Sequence, residues 1–130
     1  MPGAATEHEE ADVILDVEFE HGLFFLVLEN LGEEPAHSVR VRFEGPLSGL
    51  GGERRIDRLQ LFRRLEFLGP GRQVRVFFDR SALFFARDDP TAFGVTVTWR
   101  TDRGERRSRE IRHDLAAYRD FPYVEVPDDA

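Results

Sequence analysis

The segment from residue 23 to residue 43 constrains the fold of this chain more than any other. Residues 23–28 (LFFLVL) are all apolar, residues 29–35 (ENLGEEP) carry turn formers, and residues 39–43 (VRVRF) alternate apolar and basic side chains. Asparagine and glycine tolerate positive φ, and proline has no N–H to donate to a sheet. A period of two is typical of a strand with one buried face. The segment therefore predicts strand, turn and strand in an antiparallel sheet.

The same period of two recurs along the chain. Residues 12–20 alternate acidic and apolar side chains and end at His21-Gly22, which predicts a hairpin with the strand that follows. Gly69-Pro70-Gly71 predicts a turn before a further alternating stretch at residues 73–79. Residues 93–99 alternate again and are rich in β-branched side chains. These patterns predict antiparallel strands throughout.

The remaining segments complete the predicted fold. We interpret residues 56–68 as a strand, although the spacing of their apolar side chains also fits a helical turn. A short helical turn is predicted near residues 81–89, and a second near residues 114–120, where Asp114 can cap the N-terminus. Seven to eight strands without a long helix predict an all-β fold, an antiparallel Greek-key immunoglobulin-like sandwich.

The length of 130 residues predicts one domain, which we place at residues 12–120. Residues 1–20 hold seven acidic side chains and no arginine, and residues 120–130 hold four acidic side chains. We expect a disordered acidic tail over residues 1–11 and an acidic C-terminal tail over residues 121–130. The chain begins without the basic and apolar stretches of a signal peptide, and no apolar run approaches the roughly 20 residues of a membrane span. We therefore expect a cytoplasmic protein with no membrane segment.

The composition excludes several kinds of chemistry. The chain has no cysteine, which removes disulfides, thiolate nucleophiles and cysteine-ligated metals. All 18 basic residues are arginine, which we interpret as the codon bias of a GC-rich genome. Without lysine there is neither a Schiff-base amine nor a P-loop lysine.

Three motifs lie at predicted turns. Asn30-x-Gly32 precedes an Ala-x-x-Val strand at residues 36–39, Leu68-Gly69-Pro70-Gly71 forms the next turn, and residues 99–104 (WRTDRG) end a strand. In this order the motifs resemble bacterial immunoglobulin-like accessory domains of the CARDB and fibronectin-III-like type, although Trp99 stands where tyrosine is commoner. The resemblance implies a β-sandwich that serves as an adhesion, spacer or interaction module, usually attached to a larger protein.

No catalytic, cofactor or metal site is predicted. The four histidines are scattered without metal-ligand spacing, and the carboxylates of residues 12–20 follow a strand ladder rather than a calcium-binding loop. Ser108 and His113 lack the sharp nucleophile turn of a hydrolase. We therefore expect a protein that is not an enzyme and has no cofactor.

The apolar run supplies the first candidate site. Successive side chains of a strand point to opposite faces of the sheet. If alternate side chains of residues 23–28 face the core, the remaining apolar side chains of this run face outward. The predicted outward side chains are Leu23, Phe25, Val27 and Phe77. They form either an interface with a protein partner or a second copy, or a surface covered by residues 115–126.

Arginines near the end of the chain supply the second candidate site. Residues 100–112 carry six arginines against three acids, and the candidate patch for an acidic ligand comprises Arg100, Arg103, Arg106, Arg107 and Arg109. The same charges also suit an exposed sheet edge, which they would protect from aggregation. Base-stacking aromatic residues do not interleave with these arginines, which disfavours nucleic acid. We predict a non-catalytic interaction or accessory module that acts by protein–protein contact; the alternative is a binding protein for an acidic ligand or nucleic acid through this hairpin.

Overall fold

A computed structural model describes residues 10–120 and contains nine strands in this range. They are β1 (Val13–Glu20), β2 (Leu23–Asn30), β3 (Ala36–Phe43), β4 (Ser48–Gly49), β5 (Arg54–Arg55), β6 (Leu65–Leu68), β7 (Gln73–Arg80), β8 (Ala92–Arg100) and β9 (Arg106–Asp114). The helices are short: 3-10 turns at Ile56–Arg58 and Leu115–Tyr118, and two α-helices, α1 (Gln60–Arg63) and α2 (Ser81–Ala86). None of the helices in residues 10–120 has the length and apolar character needed to cross a membrane.

Seven of the strands form two packed antiparallel sheets. One sheet has the order β1-β2-β7 and the other the order β6-β3-β8-β9, while the short β4 and β5 pair with each other. The chain passes from one sheet to the other between β2 and β3, between β6 and β7, and between β7 and β8. The predicted all-β, antiparallel, sandwich-like fold is confirmed, as are the helical turns within residues 81–89 and 114–120.

The core lies between the two sheets and is filled by alternate residues of each strand. On β2 the side chains of Phe24, Leu26 and Leu28 are buried, as the alternation predicts. Phe24 is the centre of an aromatic cluster, with ring centroids between 5.2 and 6.2 Å from those of five neighbours. These neighbours are Phe19, Phe78, Phe84, Phe85 and Tyr118. Full burial of a phenylalanine side chain stabilises a fold by roughly 1.5–3 kcal/mol, so this cluster contributes a large part of the core.

The first hairpin forms as the sequence predicts. β1 and β2 pair in register from Val13 opposite Asn30 to Glu20 opposite Leu23. The connecting residues His21 and Gly22 both have positive φ, 51° and 78°. Two-residue hairpin turns of the type that matches the twist of a sheet require positive φ at both positions, and glycine adopts it without strain.

The prediction of a single strand over residues 56–68 is wrong. This segment folds as a 3-10 turn, α1 and then the four-residue strand β6. Ile56 and Phe62 are buried, each 1% exposed, and the helical spacing brings both to the core while the neighbouring arginines stay outside. Only the helical alternative places the apolar side chains of the segment on one side.

The predicted boundary at residue 12 leaves out Glu10 and Ala11, which the structure places in the folded body. Ala11 is 1% exposed and packs in the core, and Glu10 is hydrogen-bonded to Arg107 of β9. Both residues therefore belong to the folded body. The rest of the predicted N-terminal tail, residues 1–9, and the predicted C-terminal tail, residues 121–130, lie outside the described residues.

Candidate anion-binding groove

The outer face of the four-stranded sheet is built by alternation and register. On the central strand β8, Val95 and Val97 are buried, so the alternate residues Thr96 and Thr98 face outward. Hydroxyl side chains therefore line the middle of this face.

Longer charged side chains flank these threonines on the neighbouring strands. On β3, Arg40 lies opposite Thr98 and Arg42 opposite Thr96. On β9, Ser108 lies opposite Thr98 and Glu110 opposite Thr96. The face thus has a low floor of hydroxyl groups with a basic wall along β3.

These residues enclose an open groove of about 770 Å³. Of the charged side chains of residues 10–120 that line it, seven are arginines and one is an acid, Asp57. We call this cleft the arginine groove; its arginines are Arg40, Arg42, Arg63, Arg64, Arg100, Arg106 and Arg107. The volume lies within the range typical of sites for small molecules or short segments.

Helix α1 places two of these arginines. Phe62 is buried against Phe43 of β3, with ring centroids 5.3 Å apart, and this contact holds α1 beside the sheet. Arg63 and Arg64, the next two residues, are exposed and line the groove. The predicted strand over residues 56–68 would not have brought them here, so neither arginine was predicted from the sequence.

An ion pair spans the sheet beyond the threonine floor. Arg112 of β9 donates to Glu44 with a distance of 3.0 Å between Nη1 and Oε1. The two side chains meet above Gly94 of β8, where an added Cβ would lie 2.7 Å from Glu44 Oε1. A larger side chain at this position would displace the exposed ends of Glu44 and Arg112.

Few of the groove arginines are neutralised by acidic side chains of residues 10–120. Arg64 pairs with Glu66, and Arg107 pairs with Glu10 and Glu105. Among residues 10–120, no ion pair joins an acid to the other arginines on this surface, which are Arg40, Arg42, Arg63, Arg100 and Arg106. Because four of these guanidinium groups also make no hydrogen bond there, and Arg100 bonds only to the carbonyl of Gly104, the groove has a positive potential.

The single acid of the groove does not offset this charge. Asp57 accepts two hydrogen bonds from Arg55, of 2.8 and 2.9 Å, and one from the backbone N–H of Leu47. The hydrogen bonds from Arg55 lower the pKa of the Asp57 carboxyl below its ordinary value, and the N–H of Leu47 acts in the same direction. The negative charge of Asp57 is therefore already balanced by Arg55.

Trp99 also lines the groove and carries an unsatisfied donor. Its side chain is 5% exposed, and its Nε1 is the one buried side-chain nitrogen or oxygen without a hydrogen-bond partner in the part of the chain described. Buried indole N–H groups usually have an acceptor. Trp99 shares the alternation of Val95 and Val97 and belongs to the core, so this donor is not part of the outward-facing floor of the groove.

The arginine patch predicted from the sequence is divided by the structure. Arg100 and Arg106 lie opposite each other on the outer face and belong to the groove. Arg107, which also lines the groove, and Arg109 occupy the alternate positions of β9 and bind acids just before β1, Arg107 to Glu10 and Arg109 to Asp12. Arg103, which lies in the turn between β8 and β9, is not among the groove residues.

The predicted apolar interface is largely covered by the protein's own side chains. Val27 is 1% exposed, so the prediction that it forms an accessible surface is wrong. The guanidinium carbon of Arg75 lies 3.6 Å from the ring centroid of Phe25, and Arg75 is held there by hydrogen bonds of 2.7 Å to Glu18 and Glu20. Leu23 is half-buried, and Phe77 is 38% exposed and packs edge-on against Phe25.

The alternative cover, residues 115–126, packs elsewhere where it is described. Leu115 is buried in the core, and the ring of Tyr118 stacks on Phe19 with centroids 5.0 Å apart. Residues 121–126 lie outside the described part of the chain. Among the described residues, Arg75 of the neighbouring strand therefore covers Phe25, whereas Phe77 remains partly exposed.

The described residues offer no cluster of three or more histidines or carboxylates that could hold a metal ion. Fold and surface together define an all-β protein with a basic cleft across one of its two sheets. The chain belongs to the family DUF8453, described as a domain of unknown function, whose profile matches residues 3–119. No curated protein matches the sequence significantly.

Proposed function

We propose that this protein is a non-catalytic interaction module that binds an acidic segment of a partner protein in the arginine groove. The observation that carries the proposal is a cluster of arginines that have no acidic partner among residues 10–120, in a chain whose net charge is −7. Like charges placed side by side repel one another, and a ligand of opposite charge removes that repulsion on binding. Arginine also suits this role because its planar guanidinium binds carboxylates through two parallel hydrogen bonds.

The pairing of β8 indicates how such a segment is recognised. β8 pairs with β3 on one side and with β9 on the other, so its backbone N–H and C=O groups are used within the sheet. A ligand on this face must therefore be bound by side chains. The floor from Thr96 to Arg100 spans about 13 Å, the length of four or five extended residues. An extended segment with several acidic side chains matches both the length and the charge.

The architecture supports an accessory role. We assign the sandwich to the immunoglobulin-like type, because its chain crosses repeatedly between two antiparallel sheets, as the chain of an immunoglobulin-like sandwich does. Two of the motifs behind the resemblance also meet in space: the side chain of Asn30 donates to the carbonyl of Leu68, 3.1 Å away. Modules of this kind act by surface recognition, which agrees with an open groove rather than an enclosed pocket.

Charge reversal in the groove is expected to abolish most of the binding. The probe is a fluorescein-labelled peptide of six glutamates, and binding is measured by fluorescence anisotropy at low salt. The variant Arg40→Glu/Arg42→Glu should bind at least tenfold more weakly, because it replaces attraction with repulsion beside the floor. For the native protein, affinity should fall steeply as sodium chloride is raised, because salt screens exposed charges.

The matched control is Arg72→Glu/Arg80→Glu, which makes the same change in net charge at exposed arginines outside the groove. It should retain most of the affinity. Equal loss in both variants would show that overall charge rather than the groove determines binding, and would contradict the proposal. An oligothymidylate of equal charge serves as the second probe. If it bound more tightly than the glutamate peptide and lost affinity in the groove variant alone, the ligand would be a nucleic acid rather than a protein segment.

A further inference from the structure

One row of side chains crosses the outer face of the four-stranded sheet beside the groove. Phe67 of β6 lies opposite His37 of β3, His37 opposite Arg100 of β8, and Arg100 opposite Arg106 of β9. Neighbouring strands are about 4.8 Å apart, so Phe67 lies roughly 10 Å from Arg100 across the sheet. An aromatic side chain and groove arginines are thus within reach of one short ligand.

Phe67 is unusually accessible for its size. Its side chain is 56% exposed, the largest exposed fraction of any large apolar residue in the described range 10–120. The ring of Phe67 packs against His37 on one side, with ring centroids 5.6 Å apart. His37 is itself held by a hydrogen bond of 2.9 Å between its Nε2 and Asp102 Oδ1. The ring therefore has a defined position while much of its surface faces solvent.

We infer that the acidic segment bound in the groove carries an apolar side chain at one end, and that this side chain packs on Phe67 beside His37. The inference rests on the proposed function and names the partner chemistry more closely. Charges at the rim of an interface mainly set the rate of association and its salt dependence, whereas aromatic contacts slow dissociation. The arginines would then select for acidity, and Phe67 for one apolar neighbour.

A peptide fits this row better than a nucleic acid. Single-stranded nucleic acids stack successive bases on successive aromatic side chains along a basic groove. Here one exposed aromatic ring lies at one end, and the floor between the arginines is made of Thr96, Thr98 and Ser108. This arrangement therefore matches a peptide that has several acidic residues and one apolar side chain beside them.

Two labelled peptides of equal charge test the inference: six glutamates followed by alanine, and six glutamates followed by phenylalanine. The native protein should bind the phenylalanine peptide five- to tenfold more tightly. Phe67→Ala should remove this preference and leave the affinity for the alanine peptide unchanged. Leu83→Ala is the matched control, because Leu83 is 46% exposed on α2, outside the groove, and this variant should keep the preference.

The possible results separate the two proposals. If Phe67→Ala keeps the preference while Arg40→Glu/Arg42→Glu still weakens both peptides, the role of Phe67 is overturned and the groove stands. If the double variant leaves both affinities unchanged, the proposed function fails. A thermal melt shows whether Phe67→Ala is folded, and Phe67→Leu, which keeps an apolar surface, should restore part of the preference. An oligothymidylate that binds more tightly than either peptide and loses affinity in Phe67→Ala would show base stacking and overturn the peptide assignment.

Discussion

Replacing Asn30 by alanine is expected to lower the free energy of unfolding by about 4 kcal/mol. Asn30 is completely buried, and its amide makes four hydrogen bonds. Its Oδ1 accepts from the backbone N–H groups of Asp12 (3.1 Å) and Gly32 (2.9 Å), and its Nδ2 donates to the carbonyls of Glu34 (2.9 Å) and Leu68 (3.1 Å). Each buried group that loses its partner costs about 1–3 kcal/mol. The total free energy of unfolding of a domain of this size is roughly 5–15 kcal/mol, so the loss is severe.

Urea unfolding followed by tryptophan fluorescence measures this loss, because Trp99 is the single tryptophan of the chain and is buried. The control is Gln73→Ala, which removes an exposed amide at the start of β7 and should change stability by less than about 0.5 kcal/mol. A change of under 1 kcal/mol for Asn30→Ala would mean that the four hydrogen bonds are readily replaced by water. That result would contradict the role assigned to this side chain.

Asn30 shows how far turn chemistry can be read from a sequence. The sequence marks Asn30-x-Gly32 and Gly69-Pro70-Gly71 as two separate turns. The structure joins them, because the Asn30 side chain bonds to Leu68, 38 residues away, and the backbone N–H of Gly71 donates to the carbonyl of Asn30. Contacts between distant segments depend on which strands become neighbours, and a local pattern carries no such information.

The arginine groove shows the same limit. Alternation on β3 predicts correctly that Arg40 and Arg42 face away from the core, and alternation on β9 separates Arg106 from Arg107. What alternation cannot supply is the register that places Arg40 opposite Thr98 and brings Phe67 into the row with Arg100. The groove is therefore a property of strand order, whereas the fold class follows from periodicity alone.

The apolar run on β2 illustrates a different error. The sequence correctly indicates more apolar surface than one core face needs, because Phe25 and Val27 alternate with the buried set. It cannot show that Arg75 of β7 lies over Phe25 and is anchored by two glutamates of β1. The methylene groups of a long charged side chain cover apolar surface well, so an outward phenylalanine on a strand need not indicate a partner.

Removing Arg87 is expected to destabilise the protein by about 3–5 kcal/mol, since it leaves the carboxylate of Asp79 buried without its cation. Asp79 is 1% exposed and accepts a hydrogen bond of 2.9 Å from Arg87 Nη1. Its other oxygen accepts from the backbone N–H of Gly51 at 3.0 Å. Arg87 also donates to the carbonyl of Ser48 at 3.1 Å, so the pair ties the end of α2 to β4 and the turn after it.

A double-mutant cycle separates this ion pair from its surroundings. Arg87→Ala and Asp79→Ala should each be strongly destabilising, and the double variant should lose clearly less than the sum, because no unpaired buried charge remains. The exposed pair Glu44–Arg112 is the control; its side chains are 55% and 69% exposed, and Arg112→Ala should cost less than about 1 kcal/mol. Strictly additive losses for Arg87 and Asp79 in urea unfolding would show that the two charges act independently. The buried carboxylate would then be stabilised by the backbone N–H groups of Gly51 and Arg80, and Arg87 would join α2 to β4 through its hydrogen bond to the carbonyl of Ser48 alone.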